Sequence, residues 1–248
     1  MNRTWLPFQA SSDTDTTQRS KTFSAEARNL EPKPHVTSTR KRSRAGKGEA
    51  LDQVRSVTLS FRNMHEHGAL LTTYLEARKT IFLDDLGWSV AETDGMEFDQ
   101  YDTPLARWVV IHQFGEILGG VRMLPTTAKC GVYSYMLRDA QRGVLEDLPT
   151  DVLFFPAPVE HSVWEASRFF ITDAVPAAKR LQIQALLFRS MSQTAIENGA
   201  LHVLGIVPEV WARWARRIGV KATPIGAKFS IDGTTSQSVL FAVRDFVL

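Results

Sequence analysis

Cysteine is scarce in this 248-residue chain: Cys130 stands alone, which excludes an internal disulfide and any multi-cysteine metal site and fits a reducing compartment. No apolar run approaches the ~20 residues that span a bilayer, and the first residues lack the apolar core of a secretory signal. A cytoplasmic protein with no membrane partner and no resident metal is the expectation. There is no internal repeat. Positive charge is also missing where the net value of +2 suggests it, because residues 1–50 hold ten Lys or Arg against five acids. The remaining 198 residues hold nineteen against twenty-two and are mildly acidic.

Residues 1–52 are rich in Ser, Thr, Lys, Arg and Pro and have too few clustered apolar residues to offset the entropy of ordering them. They are expected to form a disordered basic N-terminal extension. Its run Arg40-Lys41-Arg42-Ser43-Arg44-Ala45-Gly46-Lys47 is the one candidate for contact with nucleic acid or anionic lipid. A solvated tail is the simpler account.

Residues 53–248 are expected to form a single domain. Val57, Leu59 and Phe61 alternate with Ser56, Thr58 and Ser60 as on a half-buried strand. A helix is predicted from Gly68 to Leu83, then a polar loop of about 20 residues to Pro104, long enough to be functional or mobile. Two apolar segments, Leu105–Gln113 and Ile117–Leu124, read as a hairpin, followed by a short helix between Ser134 and Leu148 and a strand from Val163 to Thr172. A helix from Ala177 ends at Gly199, Leu201–Val207 reads as a buried strand, and Pro208 is expected to open a helix running to Gly219. Strands at Lys221–Ser230 and Ser238–Val247 complete an α/β (α+β) order, a mixed sheet with helices packed on it.

Charged residues sit inside segments that otherwise read as buried. Leu71, Tyr74, Leu75, Ile81 and Phe82 define one helix stripe, and Arg78 lies in it. An arginine there stays ionised and requires acids, and Glu97, Asp99 and Asp102 follow in the next loop. Arg122 closes the apolar run from Ile117, and Glu165 and Arg168 stand in an aromatic-rich strand. In a regular strand those two point to opposite faces, so a bulge must turn one of them or they serve different faces. Singly, each residue has a plainer reading: Phe82 and Trp88 as core aromatics, Asp99 and Asp102 as turn formers, Arg122 and Arg168 as structural ion pairs.

Together they form a spaced set: Arg78, four residues to Phe82, six to Trp88, eleven to Asp99, three to Asp102, twenty to Arg122, then Glu165 and, three on, Arg168. With the words Phe98-Asp99-Gln100-Tyr101-Asp102, Val121-Arg122-Met123-Leu124-Pro125-Thr126 and Val163-Trp164-Glu165-Ala166-Ser167-Arg168-Phe169, residues 55–245 resemble the acyl-homoserine-lactone synthases, the LuxI-type autoinducer synthases. The resemblance implies a three-layer sandwich, a mixed central sheet with helices on both faces, like the GCN5-related N-acetyltransferases. It implies that S-adenosylmethionine is a substrate, with no cofactor. The acyl donor it implies is a thioester on acidic acyl carrier protein, with acyl-CoA as the other option, and the products are N-acyl-homoserine lactone and 5′-methylthioadenosine.

By the same resemblance Glu165 and Arg168 are the catalytic candidates, Glu165 as general base, and Arg78, Phe82, Trp88, Asp99, Asp102 and Arg122 bind substrate. Val203, Gly205 and Val207 are candidates for the acyl pocket. Arg180, Arg213, Arg216 and Arg217 are candidates for docking the carrier, against the plainer reading of solvated helix faces. The chain departs from the family pattern after Tyr135-Met136-Leu137, where Arg138-Asp139-Ala140 and a longer segment to Glu160 follow. Arg78→Ala is expected to impair folding, and Glu165→Gln to spare it. Two alternatives remain: an acetyl-CoA-dependent N-acetyltransferase, which the glycine-free stretch Thr172–Arg180 disfavours, and a non-catalytic relative whose basic tail binds nucleic acid.

Overall fold

The computed structural model describes residues 53–246 apart from 212–214, 216 and 232. The proposed N-terminal extension with its basic run, and Arg213 and Arg216, lie outside the described residues.

The first strand, β1 (Val54–Leu59), is followed by a 3-10 turn (Met64–His67) and by α1 (Leu70–Lys79). α1 buries Leu70, Tyr74, Leu75 and Arg78. It does not run on to Leu83 as an α-helix, because Thr80–Asp85 widens into a π turn. The wider turn lets Trp88 N–H donate to Phe82 O at 2.8 Å and stacks the two rings 5.0 Å apart. The long loop holds a small hairpin, β2 (Glu92–Thr93) and β3 (Met96–Glu97). Asp94 and Gly95 turn it with positive φ, as a two-residue Asp-Gly loop requires.

Next come β4 (Arg107–Gln113) and β5 (Glu116–Pro125), the predicted hairpin, and then α2 (Met136–Gln141). α2 is shorter than expected. Gly143, with φ +69°, ends it, its N–H donating to Ala140 O while Val144 N–H reaches Asp139 O. β6 (Val163–Ile171) leads through α3 (Ala177–Glu197) to β7 (His202–Pro208). Gly199 follows α3 at φ +80°.

Helical residues do follow, at Trp211, Ala215 and Arg217, but Pro208 does not open them. It ends β7, opposite Ser236, where a residue without an N–H is tolerated. β8 (Thr223–Ile231) and β9 (Thr234–Ala242) finish the sheet, and Val243–Phe246 is a 3-10 turn instead of strand. β9 begins four residues before the apolar alternation does. Its ladder with β8 closes at Ile231 and Thr234, which draws Thr234, Thr235 and Ser236 into the strand.

Among the described residues the main sheet has seven strands in the order β1-β4-β5-β6-β7-β9-β8. Only β6 and β7 are parallel neighbours, and α3 supplies the crossover that such a pair needs. Alternate residues of β4 separate the two cores: Trp108 and Val110 join the layer with α1, Val109 and Ile111 the layer with α3. Helices on both faces make the expected three-layer arrangement. On the α1 face, the segment after α2 crosses to β8, where Phe154 N–H donates to Ile225 O. Gly226 is needed there, since a Cβ on it would lie 1.9 Å from Val152 O.

Candidate active site

Three elements bring the charged set together on the α1 face: the end of α1, the β3 to β4 loop, and the paired strands β5 and β6. Arg78 and Arg122 are fully buried. Arg78 donates from Nε to Glu97 Oε2 at 2.5 Å and from Nη1 and Nη2 to the two oxygens of Asp102 at 2.7 and 3.1 Å. Arg122 donates from Nη1 to Asp99 Oδ1 and to Asp102 Oδ2, the latter at 3.0 Å, and from Nε to Ser167 Oγ at 3.1 Å. Arg168 spans Glu97 Oε1 and Asp99 Oδ2 at 3.1 and 3.2 Å. Three guanidinium groups and three carboxylates thus close one neutral circuit.

Asp102 is its hub. Besides the arginines it accepts the indole N–H of Trp108 at 2.9 Å and the backbone N–H of Asp99 at 3.0 Å. Burial alone pushes its carboxyl up, but Arg122 and Arg78 outweigh that and hold it well below the ordinary carboxylate range. Asp99 in turn accepts Tyr101 N–H at 2.8 Å, so the Asp99–Asp102 segment is a self-bonded turn as well as part of the circuit. Trp108→Phe keeps the ring in the core and removes one donor to a charged group, so a loss of about 1.5–3 kcal/mol in unfolding free energy is expected from urea titration.

The β6 question resolves as a bulge. Opposite β5 the register jumps between Gly120↔Phe170 and Arg122↔Ser167, and Arg168 takes φ +55°. That conformation costs about 1–3 kcal/mol and turns the guanidinium onto the face of Glu165, 5.3 Å from the Phe82 ring centre. Phe82 is itself clamped between Trp88 and the edge of Phe170.

Glu165 lies in β6 on the same face and is buried. Its oxygens accept backbone N–H groups at the start of α2, from Met136 at 3.0 Å and Leu137 at 2.8 Å. Burial pushes its carboxyl up to about 7, against the lowering effect of those two bonds and of Arg122. The ladder between β6 and β7 stops at Glu165 and Leu204, after three residues, although both strands run on. The carboxylate therefore stands where the sheet stops being paired.

These contacts sort the candidates. Every nitrogen of Arg78 and both oxygens of Asp102 are bonded inside the circuit, so these two hold other residues in place. Buried Nη2 of Arg122 has no protein partner among the described residues. Asp99 and Arg168 keep 8% and 12% of their side-chain surface and, with half-buried Trp88, form the open side.

Val203 and Val207 belong to the layer under α3, on the face opposite Glu165. Gly205 between them lies against Ala166 O, 2.6 Å from where its Cβ would be. Arg180 is paired with Asp173 at 2.7 Å, so as a docking residue it begins already partnered; Arg217 is exposed. Tyr101 and Ser167 stand inside the words that carry the resemblance, which assigns them no role, and Trp108 and Asp139 join the network with nothing in their sequence context to single them out.

With this geometry in place, the chain can be compared with known proteins. The family model described as autoinducer synthase matches residues 62–245. The chain belongs to the autoinducer synthase family. The acyl-homoserine-lactone synthase of Pseudomonas aeruginosa PAO1 is 31% identical over 167 residues, 66% of this chain and 75% of its own. That of Ralstonia nicotianae is 34% identical over 167 residues, 63% and 74% of the two chains. Among solved structures, TofI in a ternary complex with an inhibitor and MTA has a TM-score of 0.62 at 28% identity, covering 78% of this chain and 97% of its own. These autoinducer synthases are enzymes, and so is this member of the family.

Proposed function

We propose that this autoinducer synthase joins S-adenosylmethionine to an acyl thioester and releases N-acyl-homoserine lactone, methylthioadenosine and a free thiol. The observation that carries the reading is Glu165: a buried carboxylate, pushed up to about 7, at the end of the β6–β7 ladder and beside the open side of the arginine circuit. An amine nucleophile must lose a proton before it attacks, and a base near neutrality is suited to take it. The MTA bound in the TofI complex supports the choice of nucleophile.

In this reading Asp99 receives the ammonium of the methionyl group and Arg168 its carboxylate, while Phe82 and Trp88 cover the sulfonium end, where a cation over an aromatic face contributes ~0.5–2 kcal/mol. Glu165 takes a proton from the ammonium. The amine adds to the thioester carbonyl, the C–N bond forms, and the C–S bond breaks as the thiol leaves. Backbone N–H groups of β6 beyond the ladder are the donors this reading assigns to the developing oxyanion. The methionyl carboxylate then attacks its own γ-carbon and expels methylthioadenosine. That step needs positioning more than proton transfer, since the sulfonium is already a good leaving group. The acyl chain passes between β6 and β7 beyond the end of their ladder, toward Val207 under α3, while Val203 stays inside the paired part.

The donor in this reading is acyl carrier protein. The turn from Thr172 to the start of α3 has no glycine to let the backbone approach a diphosphate closely, and exposed Arg189 and Arg217 suit an acidic partner. Initial rates with matched acyl groups on carrier protein and on CoA test this. Higher kcat/KM with the carrier is expected; a preference for CoA contradicts it.

A further inference from the structure

We infer that Asp139 is a positioning residue for acyl transfer: it ties the first turn of α2 to the Asp99 loop, and that turn holds the carboxylate of Glu165. The inference rests on Glu165 being the base.

Asp139 is fully buried in α2. Its Oδ2 accepts Ser134 N–H at 2.8 Å and Tyr101 O–H at 3.2 Å, and its Oδ1 accepts Ser134 Oγ–H at 2.7 Å and Arg142 Nη1 at 3.1 Å. Ser134 lies just before α2, so these bonds fix the residues whose N–H groups, at Met136 and Leu137, hold Glu165. Tyr101 reaches the other way. Its N–H donates to Asp99 at 2.8 Å, and its ring lies 5.5 Å from the Arg122 guanidinium. Through Asp139 and Tyr101, the open-side carboxylate Asp99 and the base Glu165 are set relative to each other by a chain of buried hydrogen bonds. A displacement of about 1 Å between such groups costs up to about a hundredfold in rate.

Asp139 also acts by charge. The groups around Glu165 are Arg122 from β5, Asp139 from α2, Tyr135 just before α2, itself beside Arg138, and Tyr101 from the loop. Burial pushes both tyrosines up, so they stay neutral near pH 7. Arg122 favours the ionised form of Glu165 and Asp139 disfavours it. Removing the Asp139 charge therefore makes Glu165 easier to ionise.

The test is the pH dependence of kcat for wild type, Asp139→Asn, Tyr101→Phe and Glu165→Gln. Asp139→Asn is expected to lower the plateau rate by between about tenfold and a hundredfold and to move the acid limb to lower pH. A folded Asp139→Asn enzyme with the wild-type plateau and limb overturns the inference. Tyr101→Phe keeps the ring and backbone contacts and the Asp139 charge, and is expected to lower the plateau without moving the limb downward. If Asp139→Asn does not fold, a wild-type plateau in Tyr101→Phe overturns it instead. Glu165→Gln separates the two readings: an acid limb that survives in it refutes Glu165 as base, whatever Asp139 does.

Discussion

Arg78→Ala is expected to lower unfolding free energy by about 3–5 kcal/mol, the cost of stranding buried charges, and the melting temperature by roughly 6–20 °C in a domain of this size. The substitution removes the donors to Glu97 Oε2 and to both oxygens of Asp102, and each of those acids is inaccessible to water. Asp102 then keeps only Arg122 and the Asp99 N–H on Oδ2 and Trp108 on Oδ1, and Glu97 Oε2 loses its donor while Arg168 already spans Glu97 Oε1 and Asp99 Oδ2. Arg78→Lys is expected to recover only part of the loss, since an ammonium cannot reproduce the bidentate fork on Asp102.

The effect has a definite pH dependence. The folded-state pKa of Asp102 lies below its unfolded value, so its stabilisation is present above the ordinary carboxylate range and is lost as pH falls through the folded value. The gap between wild type and Arg78→Ala should therefore narrow in acid. Thermal melts from neutral pH downward measure it. Equal melting temperatures at neutral pH contradict the account of the circuit. Arg180→Ala, which breaks an exposed pair, is the control and should change stability by no more than about 1 kcal/mol.

Glu165→Gln is expected to slow acyl transfer by about 10²–10⁴-fold, the range for loss of a general base. In wild type, kcat should rise with pH through about 7, because the carboxylate must be ionised to accept the proton. In the variant that limb should vanish. The structure also revises the expectation that the fold is untouched. A Gln amide points N–H donors at the N–H of Met136 or Leu137, leaving one of them without an acceptor at a cost of about 1–3 kcal/mol.

Relief from burying the charge offsets part of that loss. The wild-type carboxyl is raised in the folded state, so its contribution to stability is full below its unfolded pKa and is lost as pH rises through about 7. Wild type and variant should therefore differ most in stability in acid and least above neutrality. Unchanged kcat in the variant contradicts the role of Glu165.

Much of this was legible in the chain. Arg78 in an apolar stripe announced a buried ion network, because an arginine cannot be neutralised, and its partners stood within one loop. The conflict between the spacing of Glu165 and Arg168 and the period of a strand left two options, a bulge or separate faces, and the register jump with positive φ at Arg168 decides for the bulge. What stayed hidden has physical causes. The Asp94-Gly95 turn is a strong hairpin signal, but its flanking strands of two residues are too short to show alternation. α2 looked longer because Leu145 and Leu148 continue an apolar spacing, while Gly143 alone decides where it ends. Pro208 fits the first turn of a helix as well as the last residue of a strand, and only the pairing with Ser236 decides. Trp108, Tyr101 and Asp139 read as ordinary strand, loop and helix residues because their roles depend on partners up to 38 positions away in sequence.

Product stoichiometry distinguishes lactone synthesis from simple thioester hydrolysis. The purified full chain, given S-adenosylmethionine and an acyl-carrier thioester, is followed by mass spectrometry for lactone, methylthioadenosine and free thiol together. Equal amounts of all three, appearing in step, are the predicted result. Thiol released without lactone, or S-adenosylmethionine left intact while the thioester is consumed, contradicts it.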